Sequence, residues 1–225
     1  MQTDRLIELS SGNAKLISVH SQIDGIATGF GKRFWKILEQ LDPLRFANLR
    51  NQRVARISYQ DRYLKSPLNV KLLFEVLETV PGKTAQTQIE IITAALEYAG
   101  MPGYCAYHDF SEEQQRKEVI EQLMPDAQLR LRQKRELSHA RRLELVLANN
   151  QVMTILLDQG FGAWKAQGSP RHDFKAAPEI QATAIRKSTY EVSMAEKAGM
   201  PIVIERSPED RGLAHPGLTH PGASR

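Results

Sequence analysis

The sequence predicts an α/β domain in which a mixed β-sheet is flanked by helices. Three observations carry this. Residues 53–59, 88–93 and 128–132 are short alternating or apolar runs of strand type, and stretches with apolar residues at three- and four-residue spacing separate them. The order strand–helix–strand–helix–strand builds parallel neighbours through helical crossovers. Beyond it, residues 138–147 and 152–157 are two more β-prone runs joined by Ala148-Asn149-Asn150-Gln151, a hairpin signal that adds antiparallel pairing.

Residues 1–22 hold a short apolar patch and a Ser10-Ser11-Gly12-Asn13 turn, a hairpin or a loose arm. The glycine-rich stretch 23–31 feeds a helix whose Phe30, Phe34, Ile37, Leu38 and Leu41 share one face, and Asp42-Pro43 ends it. That loop fits neither a dinucleotide fingerprint nor a P-loop, so it reads as a packing turn in preference to a phosphate cradle. The strand at 53–59 runs on toward Asp61 and Arg62. Ser66-Pro67 is an N-cap and first-turn pair for a helix reaching about Val80, with Val70, Leu73, Phe74 and Leu77 as its buried stripe. Pro81-Gly82-Lys83-Thr84 is a linker, 98–110 an aromatic loop, and Ser111-Glu112-Glu113-Gln114 a near capping box opening a helix through Leu123. Asp158-Gln159-Gly160-Phe161 is a glycine turn leading to a short helix. Residues 182–194 alternate loosely, as a last sheet strand would, and 201–205 form a short edge strand. The Gly-, Pro-, Ser- and His-rich end, with His215 and His220, is a flexible tail. The division expected is an arm at 1–22, the domain at 23–206 and a tail at 207–225.

A chain of 225 residues and 25.4 kDa holds one substantial domain, or one domain plus tails. With 30 Lys+Arg against 26 Asp+Glu it carries +4, which permits an anionic partner without requiring one. Cys105 is the single cysteine; an intrachain disulfide is excluded, and a reducing, cytoplasmic setting is expected. No apolar run approaches the roughly 20 residues of a transmembrane helix.

The chemistry concentrates at the start of the hairpin. Along a strand, His139, Arg141, Leu143, Leu145 and Leu147 share one side, with Arg142, Glu144 and Val146 on the other. His139 and Arg141 together make a place to hold a phosphate or attack one, and Arg130, Arg132, Lys134 and Arg135 lead into it. Asp61 and Arg62, where a strand enters a helix, are either a ligand position of an open sheet or a pair that fixes the loop.

In order, Ile23-Asp24, Thr28-Gly29-Phe30, Asp61-x-Tyr63-Leu64, His139-x-Arg141, Asn149-Asn150 and Asp158-x-Gly160-Phe161 resemble the phospholipase D-like domain found at the C-terminus of MIT-domain proteins, over roughly residues 23–194. Enzymes of that type use a His-x-Lys motif completed by an aspartate. The resemblance puts His139 in the nucleophile's place and Arg141 in the lysine's, with Val146 where the aspartate belongs. No second copy exists, since His20, His108 and His172 lack the continuation. The resemblance implies a phosphate-binding module, catalytically weak or inactive, with Asp61, Arg62, Arg142, Asp158, Gly160 and Lys187 around the anion. The expected partner is nucleic acid or an anionic lipid surface, with the basic cluster favouring nucleic acid; a homodimer is expected, and a place as an accessory part of a larger DNA-processing or defence assembly. No cofactor or metal is expected. Two alternatives stand beside this: a metal-independent phosphodiesterase, a nuclease using His139, and a purely structural subunit in which Arg141 pairs with Glu144 or Asp158.

Overall fold

The computed structural model describes residues 14–46, 49–96, 109–168, 171–195 and 199–206. Strands β1 (Ala14–Val19) and β2 (Gly25–Ile26) lead into helix α1 (Phe30–Leu41), which buries Phe30, Phe34, Trp35 and Leu38 along one stripe. A single turn, α2 (Pro43–Phe46), precedes β3 (Val54–Asp61). Two helical crossovers follow, α3 (Pro67–Glu78) to β4 (Gln88–Ala94) and α4 (Glu113–Leu123) to β5 (Ala127–Arg132). The hairpin is β6 (Arg141–Leu147) with β7 (Val152–Leu157), and β8 (Trp164–Ala166), α5 (Pro178–Lys187), β9 (Glu191–Met194) and β10 (Met200–Arg206) come last.

Seven strands form one sheet in the order β1-β10-β7-β6-β3-β4-β5, and β2-β9-β8 form a second, small one. Among the described residues only β3–β4 and β4–β5 are parallel, and the other pairings are antiparallel. The predicted mixed α/β sheet is therefore the observed one. Its helix-covered face supplies Ile57, Tyr59, Leu143, Leu145, Ile155 and Ile202 to one core shared with α1, α3, α4 and α5. The other face carries Arg56, Glu90, Arg130, Arg142 and Glu144, joined in ion pairs along and across the strands.

Several elements differ from the sequence reading. Residues 182–194 are two elements, because Pro178 starts a helix whose buried Gln181, Ala182 and Ile185 follow the helical period; the strand begins only at Glu191. The expected edge strand at 201–205 lies inside the sheet, between β1 and β7. Its consecutive Ile202, Val203 and Ile204 are all buried, the pattern of a strand covered on both faces. Ser111 is not a cap: Glu112 holds that position, with no side-chain bond to the helix. Ser66 does cap α3, accepting from Asn69 N–H at 3.2 Å. The aromatic loop up to His108, Cys105 within it, and the tail from Ser207 lie outside the described residues.

Candidate functional site

Strand β5 is parallel to β3 through β4, and β6 is antiparallel to β3. β5 therefore ends at the sheet end where β6 begins, and residues 133–140 cross the carboxyl ends of β4 and β3 to connect them. Arg132, the last residue of β5, and Lys134, Arg135 and His139 on that segment thus stand at the same end as Arg62, the residue after β3. This is the end where open α/β sheets bind ligands. Arg132 and Arg135 are exposed, and among the described residues neither has an acidic partner.

Behind this basic rim, the ring of Tyr63 gathers the polar groups. The Arg141 guanidinium carbon lies 4.9 Å from its centroid and that of Arg62 5.6 Å, with the His139 ring centroid at 6.4 Å. Arg62 Nη1 donates to His139 Nε2 at 2.7 Å. An accepting Nε2 places the proton of the neutral ring on Nδ1, which is 3.4 Å from the Tyr63 hydroxyl. His139 is exposed and stands outside β6, in the bend before it.

Arg141 is on the core face of β6, as the alternation with Leu143 and Leu145 requires, and its side chain is only 17% exposed. It donates to the carbonyl of Asp158 at 2.5 Å and to the carbonyl of His139 at 3.3 Å, and its Nε lies 3.5 Å from Asp61 Oδ1. Asp61 is buried, accepting from Tyr63 N–H at 2.7 Å and from the Tyr59 hydroxyl at 2.9 Å. Burial raises its carboxyl above the usual range, against the opposing pull of the Tyr63 N–H, Arg141 and Tyr59. Burial likewise raises the Tyr59 hydroxyl, and the neighbouring carboxylate adds to the effect. Gly160 closes the back of the site at φ +57°, where a Cβ would come within 2.8 Å of Arg141 Cγ.

Asp61, Arg62, His139, Arg141, Asp158 and Gly160 thus come together. Arg142 does not join them. Strand alternation turns it to the opposite face, where it donates to Glu144 at 2.6 Å and Thr154 at 3.4 Å. Lys187 does not join them either: it ends α5, a helix packed on α4 and α3, instead of lying on a sheet strand. The arrangement has two layers, an internal polar clamp made by Arg141 and an outer set of cations. Tyr63, the centre of the clamp, is not among the site residues that the sequence predicts; its one sequence signal is its place beside Asp61-Arg62.

The glycine-rich loop before α1 is the packing turn that its sequence favours. Gly29 N–H donates to Glu75 of α3 at 2.6 Å, so an internal carboxylate occupies the end of the helix. Gly82-Lys83-Thr84 is no phosphate cradle, because it runs from α3 into β4, the reverse of the strand-to-helix order of a P-loop, and Lys83 donates to Glu78 at 2.7 Å. Among the described residues no group of three or more His, Cys, Asp or Glu is placed to hold a metal, and no helix is long and apolar enough to cross a membrane.

A family model described as the C-terminal domain of the DEAD/DEAH box helicase YjiV matches residues 13–206. The chain belongs to this family. No curated protein matches it. Membership among the YjiV C-terminal domains corrects the resemblance to the phospholipase D-like domain of MIT-domain proteins, and with it the reading as a phosphate-binding phospholipase D-like module or a metal-independent nuclease. That resemblance rested on spaced single residues, which a mixed sheet with a hairpin supplies for structural reasons: Asn149-Asn150 makes the turn, Gly160 makes room for Arg141, and Asp61 braces the loop after β3.

Proposed function

We propose that this YjiV-type C-terminal domain engages nucleic acid for a DEAD/DEAH box helicase, holding a strand by its phosphates and performing no hydrolysis itself. The observation that supports it most is the basic rim at the carboxyl end of β3, β4 and β5. There, exposed Arg132 at the end of β5 and Arg135 on the segment after it have no acidic partner among the described residues, and the same segment carries His139 against Arg62. Exposed arginines without acidic partners suit phosphate oxygens, which they meet bidentately. The inner clamp supports the rim mechanically. With Arg141 bound to Asp61 and the Asp158 carbonyl, the start of β6, and so the segment before it, has a fixed place.

The test is binding of a labelled single-stranded oligonucleotide across a salt series. Each phosphate contact contributes about −0.7 to the slope of log K against log salt for a single strand. The variant Arg132→Glu/Arg135→Glu is expected to lose at least tenfold in affinity and to flatten the slope by about 1.4. Unchanged affinity and slope in that variant would remove the rim from the reading. Binding to phosphatidylserine vesicles without binding to strands would assign the cations to a lipid surface instead.

A further inference from the structure

Between the start of α3, strand β8 and helix α5 lies a cavity of about 380 Å³, which the rim does not involve. Its volume falls within the range of roughly 300–1,000 Å³ typical of small-ligand sites. Half-buried Leu68, Ala166 and Tyr190 give it apolar walls. Lys165 and Arg171 stand at the wall, both exposed and, among the described residues, without an acidic partner. Among the described residues Asp109 is the single carboxylate in the lining.

We propose that this cavity takes one nucleotide, with its base between the apolar walls against Tyr190 and its phosphate on Lys165 and Arg171. A flat heterocycle suits these walls, since its faces are apolar and stack on an aromatic side chain. The phosphate answers the two cations. The nucleotide comes either free or as one unit of a strand. The second source rests on the nucleic-acid reading above, and the loop at residues 62–66 links the two places, with Arg62 and Tyr63 at the rim and Ser66 in the cavity wall.

The experiment uses the full chain with two probes, AMP followed by saturation-transfer NMR and a short single-stranded DNA carrying one 2-aminopurine followed by its fluorescence. The variants are Ala184→Trp, which fills the cavity from the exposed side of α5, and Lys165→Glu at its wall; circular dichroism confirms that each is folded. Wild type is expected to show AMP contacts, 2-aminopurine quenching, or both, and each variant to weaken them at least tenfold. Arg132→Glu is expected to weaken the strand and leave AMP unaffected. AMP contact that Ala184→Trp removes supports a free nucleotide, and quenching without AMP contact supports a strand. If wild type and Ala184→Trp bind the strand equally with no fluorescence change, and AMP gives no contact, the cavity proposal is overturned while the rim reading stands. If wild type binds neither probe, both fall.

Discussion

Arg141 and Asp61 form a clamp whose value lies inside the protein. Burial raises the Asp61 carboxyl above its ordinary 3.8, so the folded chain holds that proton more tightly than the unfolded one. Its contribution to stability is then fully present below pH 3.8 and is lost as pH rises through the raised value. In Asp61→Asn this loss is absent, and Tyr63 N–H keeps an acceptor. The melting temperature of the variant relative to wild type is therefore expected to climb as pH rises from below 3.8 toward neutrality. Desolvation lowers the His172 imidazole, which acts with the opposite sign as pH falls below 6.5. His172 is present in both proteins, so it cancels in the difference. A difference that is flat with pH would show that Asp61 titrates as an exposed carboxylate does. Gly160 is the second residue to probe. It sits at φ +57°, and the Cβ that alanine adds would stand only 2.8 Å from Arg141 Cγ. Gly160→Ala is therefore expected to cost about 1–3 kcal/mol in chemical denaturation. Gly168→Ala, with a left-handed φ of +75° but nothing within 4 Å, is the control that carries the backbone penalty alone.

At the scale of elements, a buried ion pair ties three helices and a loop. Lys71 of α3 is wholly buried and donates to Glu75 at 2.7 Å, to the carbonyl of Arg186 in α5 at 2.7 Å and to the Thr28 hydroxyl at 3.3 Å. Glu75 in turn holds Gly29 N–H at the start of α1, and Gly31 lets that helix pass so close that a Cβ would sit 1.9 Å from the Glu75 carbonyl. Lys71→Met removes one partner of a buried pair and is expected to destabilise by about 3–5 kcal/mol. A urea midpoint close to wild type would mean that water reaches Glu75 once the ammonium is gone. Local signals make much of this layer legible: Ser66-Pro67 marks the start of α3, and Asn149-Asn150 the hairpin. Distant contacts are not legible in that way. Nothing near Lys71 in sequence announces Arg186, and the loose alternation at 182–194 hides a helix whose reason for being there is packing on α4. The same limit applies to the site. His139 and Arg141 can be found as a pair, but their separate fates depend on Arg62 and Asp61, which arrive from a neighbouring strand far away in sequence.

At the scale of the molecule, one core joins the seven-stranded sheet to the small sheet β2-β9-β8. The chain has two tryptophans, Trp35 in α1 and Trp164 in β8. A continuous run of rings connects them: Trp35 to Phe34 at 5.2 Å, Phe34 to Phe30 at 6.4 Å, and Phe30 to Trp164 at 5.0 Å. Phe161 bridges the same run to Tyr59 of β3 at 5.5 Å, so the aromatic core reaches the central strand as well. Rings packed against one another in a shared interior lose their contacts together, because opening one end exposes the next. Tryptophan fluorescence in a urea titration should therefore move to longer wavelength over the same range in which far-ultraviolet circular dichroism is lost. Trp35→Phe and Trp164→Phe, each leaving one reporter, should give matching transition shapes within each variant by the two probes. A Trp164 signal that shifts while the dichroism holds would separate the small sheet from the main one. It would also mean that the cavity beside β8 belongs to an element able to open by itself, and nucleotide binding there would then stabilise that element alone.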